Sequence, residues 1–79
     1  MTTPKTYMST STRAGVRHWR TIRGGTPLCA DATEPGAAVQ SYLFCFRYDD
    51  TKPTTAPLWD GDRGEWAIFD LLTQEAAPC

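Results

Sequence analysis

The side chains of this 79-residue chain best suited to nucleophilic catalysis or zinc binding are His18, Cys29, Cys45 and Cys79. A cysteine or serine nucleophile would need His18 as its base, and no local motif brings a partner to it. The intervals between the four residues are 11, 16 and 34 positions, which match no common spacing of zinc ligands. We therefore expect no catalytic residues, no metal site and no cofactor.

Two groups of carboxylates are the other candidates for chemistry. Asp49 and Asp50 are adjacent, and Asp60 and Asp62 are followed by Glu65. A calcium loop needs a longer, regularly spaced set of oxygen ligands that ends in a glutamate. The spacing of Asp62 and Glu65 predicts instead a turn and a capping box at the start of a helix.

The basic segment, residues 13–23, holds half of the eight lysine and arginine side chains: Arg13, Arg17, Arg20 and Arg23, with His18 and Trp19 between them. As a helix, it would begin after Thr12, end at Gly24 and present Arg13, Arg17 and Arg20 as one ridge. As a strand, it would place alternate residues on opposite faces and end at the Gly24–Gly25 turn. We favour the helix, and in both forms the arginines stay exposed because so small a core cannot pair them.

The net charge of −1 conceals a strong asymmetry between the two halves of the chain. Residues 1–39 carry five basic and two acidic side chains, whereas residues 40–79 carry three basic and seven acidic ones. The folded protein should be electrically bipolar unless folding mixes the two halves. Such a field can orient an approaching partner.

The sequence predicts one globular domain over residues 13–76. Residues 1–12 are rich in serine and threonine and lack a sustained apolar period, which predicts a flexible arm or at best an edge strand. Residues 77–79 are expected to form a loose tail, with Cys79 as a free thiol.

The middle of the chain predicts a helix start followed by a strand. Thr33, Glu34 and Pro35 have the order of an N-cap, an acid and a first-turn proline. From Tyr42 to Tyr48, aromatic residues occupy every second position, which favours a strand that forms the centre of the core. A single helix over residues 34–48 is the rival interpretation.

In the last third of the chain, residues 49–57 are predicted to form a surface loop, because this segment is polar and contains two prolines. Residues 66–76 have the apolar spacing of a short amphipathic helix, with a second strand as the alternative. Trp59, Trp66 and Phe69 are expected in the core. The expected fold is a small α+β domain of two or three short strands packed with two or three helices.

Because the sequence predicts neither a catalytic site nor a metal site, recognition of a partner is the function that we expect. The candidate partner-binding residues are Arg13, Arg17, Arg20, Arg23, Asp49, Asp50, Asp60 and Asp62. The chain lacks a run of about 20 apolar residues that could span a membrane and an apolar leader at its N-terminus, so we expect a cytoplasmic protein, acting as a monomer. One hypothesis is that the acidic residues bind a protein partner. The alternative is a nucleic-acid-binding or transcription-regulatory module that uses the basic segment.

The overall profile resembles that of phage-encoded inhibitors of host defence, in particular anti-CRISPR proteins. The shared features are small size, aromatic-rich packing, polarised charge and the lack of a catalytic constellation, and no residue motif is shared. The resemblance implies a non-enzymatic inhibitor that binds a subunit of a CRISPR–Cas effector complex in the host cytoplasm. Such an inhibitor would block the recruitment or the cleavage of target DNA.

Overall fold

The computed structural model describes residues 3–28 and 32–78, which form a six-stranded sheet with one helix packed on it. The strands are β1 (Thr6–Arg13), β2 (Val16–Arg23), β3 (Thr26–Pro27), β4 (Thr55–Asp60), β5 (Glu65–Asp70) and β6 (Glu75–Pro78), and the helix is α1 (Pro35–Phe44). The order across the sheet is β3-β2-β1-β4-β5-β6. All neighbours are antiparallel except β1 and β4. Parallel neighbours need a long connection, and here it contains β2, β3 and α1.

Two tight turns fold the N-terminal half into a meander. Ala14 and Gly15 join β1 to β2, and Gly24 and Gly25 join β2 to β3. All four residues have positive φ. Positive φ at both central residues defines the type I′ turn, whose twist matches that of the paired strands. The turn that the strand interpretation places at Gly24–Gly25 is therefore correct, and the favoured helix is not formed.

The hydrophobic core lies between α1 and one face of the sheet. Its buried apolar side chains are Met8, Trp19, Ala38, Val39, Tyr42, Ala56, Leu58, Phe69 and Leu71. Two threonines also occupy buried positions on this face: the hydroxyl of Thr10 donates to the carbonyl of His18 at 2.8 Å, and that of Thr21 donates to the carbonyl of Ala38 at 2.6 Å. Hydrogen bonding offsets the cost of burying these hydroxyls.

The expected α+β domain with two or three helices is wrong, because the sheet dominates the described residues and α1 is their single helix. The basic segment accounts for part of the error. Instead of a helix, it forms the end of β1, a turn and then β2, because the turns on both sides of β2 hold that strand in an antiparallel ladder with β1 and β3. Trp19 and Thr21 fill the core from this strand, so packing decides its conformation.

The aromatic run from Tyr42 to Tyr48 is not a strand at the centre of the core. The helix that begins at Pro35 continues to Phe44, and turns follow over residues 45–48. Tyr42 faces the core one turn after Ala38, so helical spacing overrides the alternation. The N-cap is Glu34 rather than Thr33, and its side chain makes no capping hydrogen bond.

The predicted helix over residues 66–76 is replaced by the β5–β6 hairpin. Asp62 and Glu65 do not form a capping box, since residues 61–64 form the turn between β4 and β5. The surface loop expected over residues 49–57 extends only to residue 54, because β4 begins at Thr55. β5 pairs with β4 and β6, and not with residues 42–48.

Segments near both ends of the described chain belong to the sheet, which the sequence does not predict. Thr6–Arg13 is not an arm but an interior strand, paired with β2 on one side and β4 on the other. Its apolar period is hidden because Thr10 takes a core position beside Met8. Ala77 and Pro78 pair with β5 rather than forming a tail, and Cys79 lies outside the described residues.

Candidate functional site

The face of the sheet opposite α1 carries no helix from the described ranges, and we call it the open face. Strand alternation places on it Tyr7, Ser9, Ser11, His18, Arg20, Ile22, Pro57, Trp59, Trp66 and Ile68. These side chains come from the four central strands. The open face is therefore built on strands that are each paired on both sides.

Three aromatic side chains form a cluster on the open face. The rings of Tyr7 and Trp66 lie 5.1 Å apart with an interplanar angle of 77°, and those of Trp59 and Trp66 lie 5.2 Å apart at 62°. Trp59 and Trp66 are direct cross-strand partners. Packing edge to face leaves all three half-buried although no helix of the described residues covers them. Edge-to-face contacts of this kind are favourable beyond the area that they bury.

Aliphatic side chains extend this aromatic cluster into a larger apolar patch. Ile22 lies opposite Tyr7, and Pro57 lies opposite Ile68, which is 43% exposed. Polar side chains border the patch towards β2, where Arg20 lies opposite Ser9, itself beside Trp59. An apolar centre with a polar rim is the usual anatomy of a protein-binding surface.

The expectation that Trp59, Trp66 and Phe69 all lie in the core is right only for Phe69, which is fully buried. The two tryptophans lie on the open face. The alternation of Trp66 and Ile68 with Ala67 and Phe69 is the signal in the sequence that separates the two faces of β5.

The four arginines of the basic segment do not form one ridge. Arg13 and Arg20 alternate onto the open face, whereas Arg17 and Arg23 lie on the side of α1. Nη2 of Arg17 lies 3.6 Å from Oδ2 of Asp60, and its guanidinium lies 5.4 Å from the centre of the Trp19 ring. A strand separates residues that a helix would have aligned.

The four candidate aspartates also divide between two elements. Asp60 and Asp62 lie at the turn between β4 and β5, where Asp60 accepts hydrogen bonds from the backbone N–H groups of Asp62 and Arg63. Asp49 and Asp50 are exposed in the connection between α1 and β4. The sequence did not reveal that Asp62 would bind Thr12, whose hydroxyl and backbone N–H lower the pKa of this carboxyl.

The strand order preserves the charge asymmetry of the sequence. The N-terminal strands β3, β2 and β1 lie side by side and carry the arginines of the basic segment. The C-terminal strands β4, β5 and β6 and their turns carry five carboxylates: Asp60, Asp62, Glu65, Asp70 and Glu75. The ion pair between Arg17 and Asp60 crosses the boundary between the two groups.

The candidates for catalysis and metal binding are not brought together in the part of the chain that the structure describes. Over residues 3–28 and 32–78, no three histidine, cysteine or acidic side chains lie close enough to hold a metal ion. Sγ of Cys45 lies 3.3 Å from the carbonyl oxygen of Ser41 within α1, and Cys29 lies outside the described residues. Within the same ranges, no helix is long and apolar enough to cross a bilayer.

Comparisons with protein-family models, with curated proteins and with solved structures gave no match to this chain. The functional argument therefore rests on the geometry and chemistry of the chain itself.

Proposed function

We propose that the protein is a non-enzymatic binding module that docks onto a partner protein through its open face. The observation that supports this most directly is the aromatic cluster of Tyr7, Trp59 and Trp66, held half-buried on a sheet face that no helix of the described residues covers. Tryptophan and tyrosine are enriched among the side chains that dominate the affinity of protein interfaces. Exposed apolar patches with polar rims are typical of such interfaces.

Two features favour a protein over a nucleic acid as the partner. The rings of the cluster pack against one another at steep angles, whereas base stacking needs ring faces that lie open. Alternation also divides the arginines of β2 between two faces, and the acidic strands β4 to β6 occupy half of the sheet. Together these features weaken the continuous positive surface that phosphates require.

The specific proposal is an inhibitor of a CRISPR–Cas effector complex. Charge separated across one sheet orients an approaching protein and raises its association rate. Such complexes expose basic channels for nucleic acid, and the acidic half of the sheet is complementary to them. An inhibitor that occupies this surface would act stoichiometrically by preventing target DNA from binding or being cut.

The test compares two substitutions to glutamate, one on the open face and one outside it. Ile68→Glu introduces a charge into the apolar patch of the open face, opposite Pro57, at a residue that is already 43% exposed. Leu72→Glu is the control, because Leu72 is 80% exposed in the turn between β5 and β6. Each protein is titrated against purified effector complexes, with binding measured by calorimetry and inhibition by cleavage of labelled target DNA.

We expect the native protein and Leu72→Glu to bind and inhibit at equal stoichiometry. Ile68→Glu should bind at least about tenfold more weakly, the effect of roughly 1.4 kcal/mol of lost binding energy. Equal binding by both variants would exclude the open face as the docking surface. Absence of binding to every effector complex would reject the CRISPR–Cas partner, and binding of labelled single-stranded DNA with a steep salt dependence would favour the nucleic-acid alternative.

A further inference from the structure

A groove of about 800 Å³ runs between the outer side of α1 and the β2–β3 hairpin. It lies on the opposite side of the sheet from the open face, and its lining shares no residue with the aromatic cluster. Strand ends, helix and the turn after the helix all contribute to its walls. Its size is within the range of known ligand sites, roughly 300–1,000 Å³.

The walls of the groove are unusually apolar for a solvent-facing surface. Leu28 is 45% exposed, Phe44 is 61% exposed and Tyr48 is 85% exposed. They are half of the large apolar side chains that are exposed in the described ranges, the others being Val16, Ile68 and Leu72. Concentration of such side chains at one place indicates a binding surface, whereas scattered ones do not.

Among the described residues, the charged side chains that line the groove are both cations. Arg23 enters from the end of β2 and Arg47 from the turn after α1, and no carboxylate of residues 3–28 or 32–78 lines the groove. The guanidinium of Arg47 lies 3.9 Å from the centre of the Phe44 ring and 4.5 Å from that of Tyr48. Stacking of this kind holds the cation against the apolar wall.

These two arginines differ from the arginines elsewhere that have carboxylate partners. Arg17 lies 3.6 Å from Asp60, and Arg63 lies 3.5 Å from Glu65. Within residues 3–28 and 32–78, neither Arg23 nor Arg47 forms an ion pair. The groove therefore combines exposed aromatic rings with two guanidinium groups that have no carboxylate partner among the described residues.

We propose that this groove binds an acidic peptide segment that carries a bulky apolar side chain. The apolar side chain would lie between Phe44 and Leu28, and the neighbouring carboxylates would bind Arg23 and Arg47. Guanidinium groups bind carboxylates with charge-assisted hydrogen bonds, and arginine clusters recognise acidic motifs in this way. The groove is open along one side, which suits a chain segment lying across it. This second site is independent of docking through the open face.

The test is fluorescence anisotropy with a labelled peptide that alternates glutamate with phenylalanine. The comparison peptide has glutamine in place of glutamate. The groove variant is the double substitution Arg23→Gln/Arg47→Gln, and the matched control is Lys5→Gln/Arg63→Gln, which removes the same charge from exposed positions outside the groove. Circular dichroism and thermal unfolding of each variant establish that it is folded.

We expect the acidic peptide to bind the native protein and the matched control alike, and to bind the groove variant at least about tenfold more weakly. The glutamine peptide should bind the native protein weakly. Phe44→Ala should also weaken binding of the acidic peptide, whereas Ile68→Glu should not. Equal loss in both double variants, equal binding of the two peptides or no binding of the acidic peptide would overturn the proposal.

Discussion

The carboxylate of Asp62 accepts two hydrogen bonds from Thr12, which precedes it by 50 positions. The backbone N–H of Thr12 donates to Oδ1 at 2.9 Å, and its hydroxyl donates to Oδ2 at 2.6 Å. Close to this contact, the backbone N–H of Gly61 donates to the carbonyl of Thr10 at 2.8 Å. These bonds join the end of β1 to the β4–β5 turn, and so they secure the parallel boundary between the two halves of the sheet.

This contact predicts that stability falls in acid. The hydrogen bonds from Thr12, its hydroxyl first, lower the pKa of Asp62 in the folded state. The backbone N–H groups of Thr73 and Leu72 lower that of Asp70. A carboxyl with a lowered folded pKa stabilises the fold above its unfolded pKa of about 4, and this contribution is lost as the pH falls through the folded pKa.

Urea unfolding as a function of pH tests this prediction. Asp62 and Asp70 should contribute equally to the free energy of unfolding of the native protein at pH 7 and at pH 5.5. Below about pH 4 their contribution should decrease, so the native protein should be less stable. Asp62→Asn should lower stability at neutral pH and reduce the further loss in acid. Asp49→Asn, in the exposed connection after α1, is the control and should leave the free energy of unfolding at neutral pH unchanged. A native-like profile for Asp62→Asn would contradict the assigned role of the Thr12 contact.

A second prediction concerns the buried hydroxyl of Thr21. This side chain is fully buried, and it donates to the carbonyl of Ala38 in α1. Thr21→Val keeps the shape and removes the bond between strand and helix, so we expect a loss of about 1–2 kcal/mol in the free energy of unfolding. Thr26→Val, on the exposed strand β3, should change it by less than about 0.5 kcal/mol. Equal effects in urea titrations would show that the hydroxyl does not link the two layers.

A third prediction concerns the turn between β1 and β2, where Ala14 has φ of 52°. A left-handed conformation costs a residue with a Cβ about 1–2 kcal/mol, and asparagine tolerates it better than alanine. Ala14→Asn creates the Asn-Gly pair that type I′ turns prefer. It should raise the midpoint of thermal unfolding by a few degrees. Gly15→Ala, at φ of 79°, should lower it, and a lower midpoint for Ala14→Asn would argue against this turn.

The sequence predicted the turns and the helix start of this fold better than its strands and helices. The turn at Gly24–Gly25, the turn after Asp60 and a helix start next to Pro35 are all correct, because glycine, proline and aspartate act through local backbone geometry. The conformation of the basic segment depends on β1 and β3, which pair with it on either side. Local patterns carry little information about such pairing, since strand preference depends on the neighbouring strands.

The candidate site was harder to predict from the sequence than the turns were. Charge identified Arg13, Arg17, Arg20 and Arg23, but strand alternation along β1 and β2 divides them between two faces. The aromatic cluster joins Tyr7, Trp59 and Trp66 from three strands, and it exists only because β1 lies beside β4. This surface forms through the pairing of strands that are far apart in the sequence. No short segment of the sequence could therefore predict it.

The last prediction tests the assignment of the two faces through neighbouring residues of β5. Phe69 is fully buried against Trp19, with ring centres 5.3 Å apart, whereas Ile68 points to the open face and is 43% exposed. Phe69→Ala should cost about 3–5 kcal/mol, which approaches the whole stability of so small a domain. Ile68→Ala should cost less than about 1 kcal/mol.

Urea unfolding followed by tryptophan fluorescence measures both effects, and Phe69→Leu provides a smaller loss if the alanine variant does not fold. Because the two positions are adjacent, any general weakening of β5 would affect them alike. A large loss at Phe69 with a small one at Ile68 therefore requires that one face of this strand packs in the core while the other remains available to a partner. Similar losses at both positions would mean that the open face is as buried as the core.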